Sequence, residues 1–402
     1  MILSRASLRR IALTLLLLSV SATHAAEPYT PASPDTVLLQ RAPGAAKALR
    51  LLRGAQPGLD AESPLTAVQA AIAEGHRSGD PRYFGQAQAL LGRAWLAPAP
   101  ASPARLLRAM LKQQRHDFAG ALADLDAVLA AEPGNAQARL VRANIRLVQG
   151  EPLSARGDCA ALIGHAGFLV IATCIGTVDG LSGKAASAVQ TIEAALAREP
   201  DALSGIRIWA LTQAAEIAER LGDLPRATEH YAKALAEAEA AGENDVYLKA
   251  AHADFLLDQQ RAGEVKATLA AETDFDPLLL RLALAEQQLA QAGDAAAKNA
   301  VVGHLKDLQT RFALTASRGD PPHWREQTMT ALYLQADAKA ALQLAQHNWA
   351  EQREPADARL LLSAALAAQD KSAAQPVLDW MQQTRIEDVR LQALAAKLRA
   401  MP

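Results

Sequence analysis

Residues 208–241 read IWALTQAAEIAERLGDLPRATEHYAKALAEAEAA. Within this stretch, the turn Gly222-Asp223-Leu224 separates two Ala-rich segments. Small and apolar residues recur three or four positions apart on both sides of the turn, namely at Leu211, Ala214, Ala215 and Ala218 and then at Ala227, Tyr231 and Ala234. This spacing places them on one face of a helix. Because small side chains let two antiparallel helices approach closely, the stretch predicts a helix–turn–helix hairpin.

Related patterns recur along the chain. Glu132-Pro133 and Glu199-Pro200 each end an Ala/Leu-rich run, and they lie 67 residues apart, close to twice a period of about 34 residues. In these runs apolar residues recur at i, i+4 and i+7: Ala121, Leu125 and Val128, then Ala188, Ile192 and Ala195. Other copies carry Ala143, Ala155, Cys159 and Leu162 around a turn at 150–152, or Ala341 and Ala345 after a turn at 336–338. Weaker copies occupy 64–97, 103–134, 167–200, 245–272, 277–316 and 356–384.

These repeats resemble the tetratricopeptide repeat (TPR) family, in which small residues line the crossing within each hairpin and the period is 34 residues. The resemblance covers roughly residues 60–385, although few of the family's aromatic signature positions are filled. A single hairpin cannot bury its apolar face, so neighbouring hairpins must stack. We therefore expect an all-α solenoid of about nine TPR-like hairpins, with a non-repeating helical bundle as the alternative.

The expected organisation has four parts: a secretory signal peptide at 1–25, a segment with a capping helix at 26–63, the repeat domain at 64–384, and a C-terminal capping helix at 385–402. The signal peptide is indicated by Arg5, Arg9 and Arg10, an apolar run at 11–20, and small residues ending at Ala25. The run is too short for a membrane helix, which needs about 20 residues. We expect Sec-type export, cleavage near Ala25 and a periplasmic or secreted chain without a membrane span; an uncleaved anchor is the alternative.

Composition excludes several classes of protein. Alanine supplies 92 of the 402 residues, which favours helix over sheet, and half of the residues are hydrophobic, unlike a disordered chain. The formal net charge is −2, so there is no basic excess for nucleic-acid binding. No catalytic motif, cofactor site or metal-ligand spacing is present, and we predict that the chain is not an enzyme.

The two cysteines are expected to form a disulfide. On the repeat register, Cys159 lies on the second helix of one hairpin and Cys174 on the first helix of the next, and those faces pack together. Oxidising compartments favour disulfides. Two buried free thiols are the alternative.

The TPR resemblance implies that a partner segment is held on the concave face, which the first helices line. That face would include Asn144, Glu216, Tyr247 and Asp254, together with Arg139, Arg142 and Trp209. Arginines beside an asparagine resemble the family's carboxylate-holding clusters. The alternative is that these are solvated polar faces. The segment 317–324 is a second candidate, because its two prolines either expose Trp324 or form a turn with Trp324 packed inward.

The sequence thus predicts a noncatalytic scaffold that binds a protein or peptide in the cell envelope. A structural subunit of an envelope assembly or transport complex is the main alternative, and a solenoid enzyme acting on envelope glycans is a third. The sequence does not indicate the oligomeric state.

Overall fold

The computed structural model describes residues 63–78, 80–318 and 322–401. The signal peptide and the N-terminal capping helix expected before residue 63 lie outside the described residues. Within the described ranges every regular element is a helix. The α-helices are α1 Ser63–Ser78, α2 Arg82–Leu91, α3 Arg93–Leu96, α4 Ser102–Gln114, α5 Phe118–Ala131, α6 Ala136–Val148, α7 Pro152–Ala160, α8 Phe168–Asp179, α9 Ala185–Arg198, α10 Ser204–Leu221, α11 Leu224–Ala241, α12 Val246–Asp258, α13 Ala262–Leu269, α14 Asp276–Gln291, α15 Ala295–Ser317, α16 Trp324–Met329, α17 Ala338–Glu351, α18 Pro355–Ala367, α19 Gln375–Thr384 and α20 Val389–Arg399.

Apart from α3 and α20, these helices pack in consecutive pairs. The pairs form hairpins 1 to 9 within the described ranges: α1–α2, α4–α5, α6–α7, α8–α9, α10–α11, α12–α13, α14–α15, α16–α17 and α18–α19. A π-helical turn, Thr330–Leu334, extends α16, and a 3₁₀ turn, Ser372–Ala374, precedes α19. The prediction of an α-solenoid of about nine TPR-like hairpins is confirmed.

Hairpin 5 shows why this sequence pattern folds as it does. Ala214, Ala218 and Ala227 are fully buried where α10 crosses α11. Gly222 ends α10 with φ +79°, a left-handed conformation that glycine adopts without strain. The Asp223 carboxylate then accepts a hydrogen bond from a backbone N–H of α11 and caps that helix. Small residues at the crossing and a Gly-Asp turn therefore act together to close the hairpin.

Neighbouring hairpins are held together by shared apolar clusters. Leu169 of α8, Ile192 of α9 and Ile217 of α10 belong to one buried cluster that joins hairpins 4 and 5. This is the burial between neighbours that a solenoid requires, because each hairpin alone would leave its apolar face in water.

The C-terminal part of the chain packs along the turns of earlier hairpins, forming what we call the C-terminal seam. The Arg353 N–H donates to the carbonyl of Val148, 2.6 Å away, at the turn of hairpin 3. The Ala185 N–H donates to Glu387 at 2.7 Å at the turn of hairpin 4. Gly150 has φ +76°, and a Cβ at this position would lie 2.9 Å from that of Arg353. The seam thus requires a glycine where the two parts of the chain meet.

Candidate functional site

Polar side chains from hairpins 5, 6, 8 and 9 converge around Tyr247, forming what we call the inner cluster. The Tyr247 hydroxyl, on α12, donates to Glu216 Oε1 of α10 at 2.6 Å. Gln213 Nε2, also on α10, donates to Glu216 Oε2 at 2.9 Å. Arg325 of α16 and Glu354, at the start of α18, lie close enough to affect the ionisation of Tyr247. Residues far apart in the sequence therefore share one polar environment.

The inner cluster is open to solvent yet surrounded by protein. Tyr247 is 56% exposed, while burial raises its pKa well above the ordinary value, and the charges of Glu216 and Glu354 add to this rise. Burial also raises the pKa of Glu216, against the opposing effect of Arg220. An accessible aromatic ring whose hydroxyl is fixed by a neighbouring carboxylate is typical of binding surfaces.

Asp254 extends the same face along α12. Its carboxylate accepts two hydrogen bonds from Arg281 of α14, from Nε at 3.0 Å and from Nη2 at 2.7 Å. Arg281 is only 6% exposed. Burial opposes its charged form, but the Asp254 carboxylate outweighs this and raises the pKa of Arg281. The pair ties hairpin 6 to hairpin 7.

Arg325 is fixed by acids of hairpin 9. Its Nε donates to Asp357 Oδ1 at 2.6 Å and its Nη2 to Asp357 Oδ2 at 2.8 Å, and Glu354 also pairs with it. The Asp357 side chain is fully buried and also accepts a hydrogen bond from Asn348 at 2.7 Å. These bonds hold the Arg325 guanidinium beside the inner cluster and join hairpins 8 and 9.

A second tyrosine lies in the π-helical turn of hairpin 8. Tyr333 is 39% exposed, and burial by the surrounding protein raises its pKa, against the effect of Arg359. Arg359 pairs with Asp258 at the end of α12, so hairpins 6, 8 and 9 meet here too. π-Helical turns are rare and frequently lie at functional sites. The sequence analysis missed Tyr333, because an extra residue in a helical turn leaves no pattern that single-sequence spacing detects.

Glu219 joins α10 to the C-terminal helix. It is 8% exposed, accepts a hydrogen bond from the Tyr231 hydroxyl at 3.0 Å, and pairs with Arg390 of α20. Burial raises the pKa of Glu219 to about 7, although Arg390 opposes the shift. Arg390 also lies 3.1 Å from Asp258. This set of charges extends the C-terminal seam to hairpins 5 and 6.

The structure separates the seven predicted binding residues. Glu216, Tyr247 and Asp254 lie together on the inner cluster and its extension. Arg139 and Arg142 instead surround Asp158 of α7, which is 1% exposed. Arg142 Nε lies 2.9 Å from Asp158 Oδ2, and Arg142 Nη1 reaches Asp126 at 2.6 Å. The carboxylate that these arginines hold is therefore the chain's own, and they do not share the inner cluster.

The remaining two predicted residues, Asn144 and Trp209, belong to neither of these groups. Asn144 is exposed on α6. Trp209 lies on the same stripe of α10 as Glu216, seven residues earlier, and is half-buried against a cluster that contains Cys159 and Cys174. The two cysteines form a disulfide, with their Cα atoms 5.5 Å apart, as the sequence predicts. It links hairpin 3 to hairpin 4 behind Trp209.

Trp324, in the second candidate segment 317–324, is half-buried and stacks on His347, with ring centroids 5.2 Å apart. Residues 319–321 of this segment lie outside the described residues.

Among the helices that the structure describes, none is long and apolar enough to cross a membrane. The described residues also contain no group of three or more His, Cys, Asp or Glu side chains arranged to hold a metal ion.

Comparison with known proteins yields only structural similarity. No family model matches the chain, and no curated protein matches it. The human IFIT1 dimer with m7Gppp-AAAA is 12% identical, with 84% of this chain and 92% of that chain covered, at a TM-score of 0.39. The same human dimer with PPP-AAAA is 14% identical, with 84% of this chain and 86% of that chain covered, at a TM-score of 0.41. The P58(IPK) TPR domain is 14% identical, with 85% and 97% covered, at 0.23. The assignment of a TPR-like fold rests on the hairpins themselves.

Proposed function

We propose that this chain is an exported, noncatalytic scaffold that binds a segment of a protein partner on its inner face. The observation that carries the proposal is the convergence of four hairpins on Tyr247, whose ring is accessible while its hydroxyl is fixed by Glu216. Tyrosine and arginine are the residue types that dominate binding energy at protein interfaces. Both occur here on helices, which hold binding groups more firmly than loops do.

The charge of this surface favours a protein over a nucleic acid. Near Tyr247, Arg281 is paired with Asp254, and Arg325 is paired with Glu354 and Asp357. Arg220 lies close enough to Glu216 to oppose the rise in the pKa of that acid. Nucleic-acid affinity depends on cations that neutralise phosphates, and paired arginines supply little free positive charge. The titles of the two IFIT1 structures name m7Gppp-AAAA and PPP-AAAA as ligands of that protein; for this chain we propose a polypeptide.

Export is part of the proposal. It is supported by the signal-like residues 1–25 and by the Cys159–Cys174 disulfide, since disulfides form and persist in oxidising compartments. Mass spectrometry of the protein from cell envelopes should give a mature chain that begins near residue 26. A chain that retains its first residues in the cytoplasm would contradict this part of the proposal.

Binding at the inner cluster is tested by site-specific photo-crosslinking in the native host. A photoreactive amino acid replaces Tyr247, and a matched control replaces Leu314, which is 52% exposed on α15. We expect a discrete crosslinked product from position 247 that is absent from position 314. The same products at both positions, or none at 247, would overturn the proposal.

A structural role in an envelope assembly is the second candidate, and exposed apolar residues favour it. Leu96, Ile163 and Leu203 are 83%, 68% and 76% exposed and lie at connections between successive hairpins. Contiguous exposed apolar surface marks contacts with other proteins, and the assembly role requires these three connections to form one such surface. The test is whether the protein comigrates with a large complex. If Leu203→Ser abolishes the comigration and Tyr247→Ala does not, the result favours the assembly role over partner binding at the inner cluster.

A further inference from the structure

A cleft with a buried aromatic floor lies where hairpins 8 and 9 meet the turn of hairpin 3, and we call it the seam pocket. Its volume is about 650 Å³, within the range of about 300–1,000 Å³ that is typical of small-molecule sites. Trp349 of α17 and Trp380 of α19 form its floor, 7% and 6% exposed, with ring centroids 5.5 Å apart. Gly150, at the turn of hairpin 3, also lines it. These residues are separate from those of the inner cluster, so the seam pocket is a second site beyond the proposed function.

The rim of the seam pocket is polar and exposed. It carries two side-chain amides, a guanidinium and a carboxylate, from Gln346, Gln383, Arg353 and Asp379. Each of these groups is planar and presents two polar atoms side by side. Arg353 donates to the Trp349 carbonyl through Nε, at 3.3 Å, which leaves its terminal nitrogens for other acceptors. Among the described residues, none hydrogen-bonds with the side chains of Gln346 or Gln383, so the rim offers donors and acceptors that the fold does not use.

An indole nitrogen beside the seam pocket has no acceptor. Trp380 Nε1 is buried without a hydrogen-bond partner among the described residues. A Cβ at position 150 would lie 3.0 Å from this nitrogen, so the N–H borders the pocket where Gly150 lacks a side chain. Buried donors without an acceptor are rare in folded proteins and need an explanation. An oxygen atom of a ligand on this side of the pocket would supply the missing acceptor.

We propose that the seam pocket binds a saccharide. A sugar ring has an apolar C–H face, which suits the electron-rich face of an indole, and hydroxyl groups that both donate and accept. Neighbouring hydroxyls of the ring match the paired polar atoms of the planar side chains on the rim. The apolar floor and the polar rim of the pocket therefore correspond to the two kinds of surface that a sugar presents.

Other classes of small molecule fit the seam pocket less well. Its charged lining residues are Arg353, Asp370 and Asp379, so negative charge is in excess and an anion such as phosphate is disfavoured. A wholly apolar ligand would take the rim groups out of water without replacing their hydrogen bonds. A small organic cation matches the charge but leaves the donors of the rim amides and of Arg353 unused.

The test uses the full mature chain with 5-fluorotryptophan in place of tryptophan, observed by fluorine NMR. The chain has five tryptophans, and each gives its own signal. Trp95→Phe, Trp209→Phe and Trp324→Phe assign three of the signals, and the remaining two belong to Trp349 and Trp380. The probes are D-glucose, D-galactose, N-acetyl-D-glucosamine and cellobiose, with choline chloride and sodium phosphate for comparison.

We expect at least one of the four sugars to shift the signals of Trp349 and Trp380 saturably. The signals of Trp95 and Trp209 should not move, because these residues do not line the seam pocket. Choline and phosphate should leave all of the signals in place. The absence of a saturable shift with any of the four sugars, or tighter binding of choline or phosphate than of every sugar, would overturn the proposal.

Two neighbouring glutamines of α19 give a matched pair of variants. Gln383 and Gln382 are both exposed, but only Gln383 lines the seam pocket. Gln383→Ala should weaken the affinity for the sugar about threefold to tenfold, the range expected when one hydrogen bond is lost. Gln382→Ala should bind like the wild type, and both variants should keep the wild-type melting temperature. Equal affinity of the two variants would contradict sugar binding at this rim.

Discussion

Replacing Asp158 tests whether the arginine group of hairpin 3 builds the fold or binds a partner. Asp158→Asn removes one buried negative charge and keeps the shape of the side chain. In the folded protein this carboxylate lies 3.2 Å from Arg139 Nη1, 2.9 Å from Arg142 Nε and 2.7 Å from Arg146 Nη1. The substitution therefore leaves three guanidiniums of α6 facing a neutral amide.

The expected loss follows from burial and from the contacts that remain. Breaking a buried ion pair from one side costs about 3–5 kcal/mol. Arg142 keeps its contact with Asp126, and the three arginine side chains are 14–25% exposed, so water still reaches them. The lower end of the 3–5 kcal/mol range therefore applies, and we expect the free energy of unfolding to fall by about 3 kcal/mol.

The assay is native-state hydrogen exchange, read out in α6 and α7, because repeat proteins open locally rather than all at once. Asp126→Asn is the matched control: Asp126 contacts the same Arg142 but is 61% exposed. An exposed ion pair contributes about 0–1 kcal/mol, so the control should change protection little. A loss below about 1 kcal/mol for Asp158→Asn, or an equal loss for both variants, would refute the structural assignment of these arginines.

Three further perturbations probe other parts of the fold. Burial raises the pKa of Glu219 to about 7, above its ordinary 4.5, so its charged form opposes folding. The free energy of unfolding of the wild type, relative to that of Glu219→Gln, should therefore fall by about 3 kcal/mol as the pH rises from about 4.5 to about 7. Urea titrations at a series of pH values measure this difference between the two proteins, and a difference that does not change with pH would contradict the burial of the charge. Reducing the Cys159–Cys174 disulfide should lower the free energy of unfolding by about 3 kcal/mol on the chain-entropy estimate. In equilibrium denaturation, the double variant Cys159→Ser/Cys174→Ser should show the same loss, and reductant should have no further effect on it. Gly150→Ala should lower the melting temperature more than Gly164→Ala, because both have positive φ but only a Cβ at 150 meets another part of the chain; equal effects would argue against the C-terminal seam.

The hairpins were predictable because their signals are local. Small residues such as Ala214 and Ala218 fix the helix crossing, and Gly222 and Asp223 fix the turn, all within one repeat. The disulfide was predictable for the same reason, since Cys159 and Cys174 lie on adjacent helices of a recognisable register.

The C-terminal seam and the inner cluster were not predictable, because their contacts join residues distant in sequence. Gly150 meets Arg353 about two hundred positions later, and no spacing within either segment reports that contact. The partner of Arg142 illustrates a further difficulty. The sequence around a polar residue on a first helix has the same pattern whether that residue faces solvent or a buried acid such as Asp158. Only the packed structure distinguishes these two environments.

Binding of the partner at Tyr247 is the central claim, and the most direct test is the dissociation constant of the crosslinked partner segment for three forms of the protein. For Tyr247→Ala we predict affinity at least tenfold weaker than for the wild type, as expected when an aromatic interface residue that contributes about 1.4 kcal/mol or more is removed. Leu314→Ala should bind like the wild type. Equal affinity of Tyr247→Ala and the wild type, or a comparable loss in Leu314→Ala, would contradict binding at the inner face.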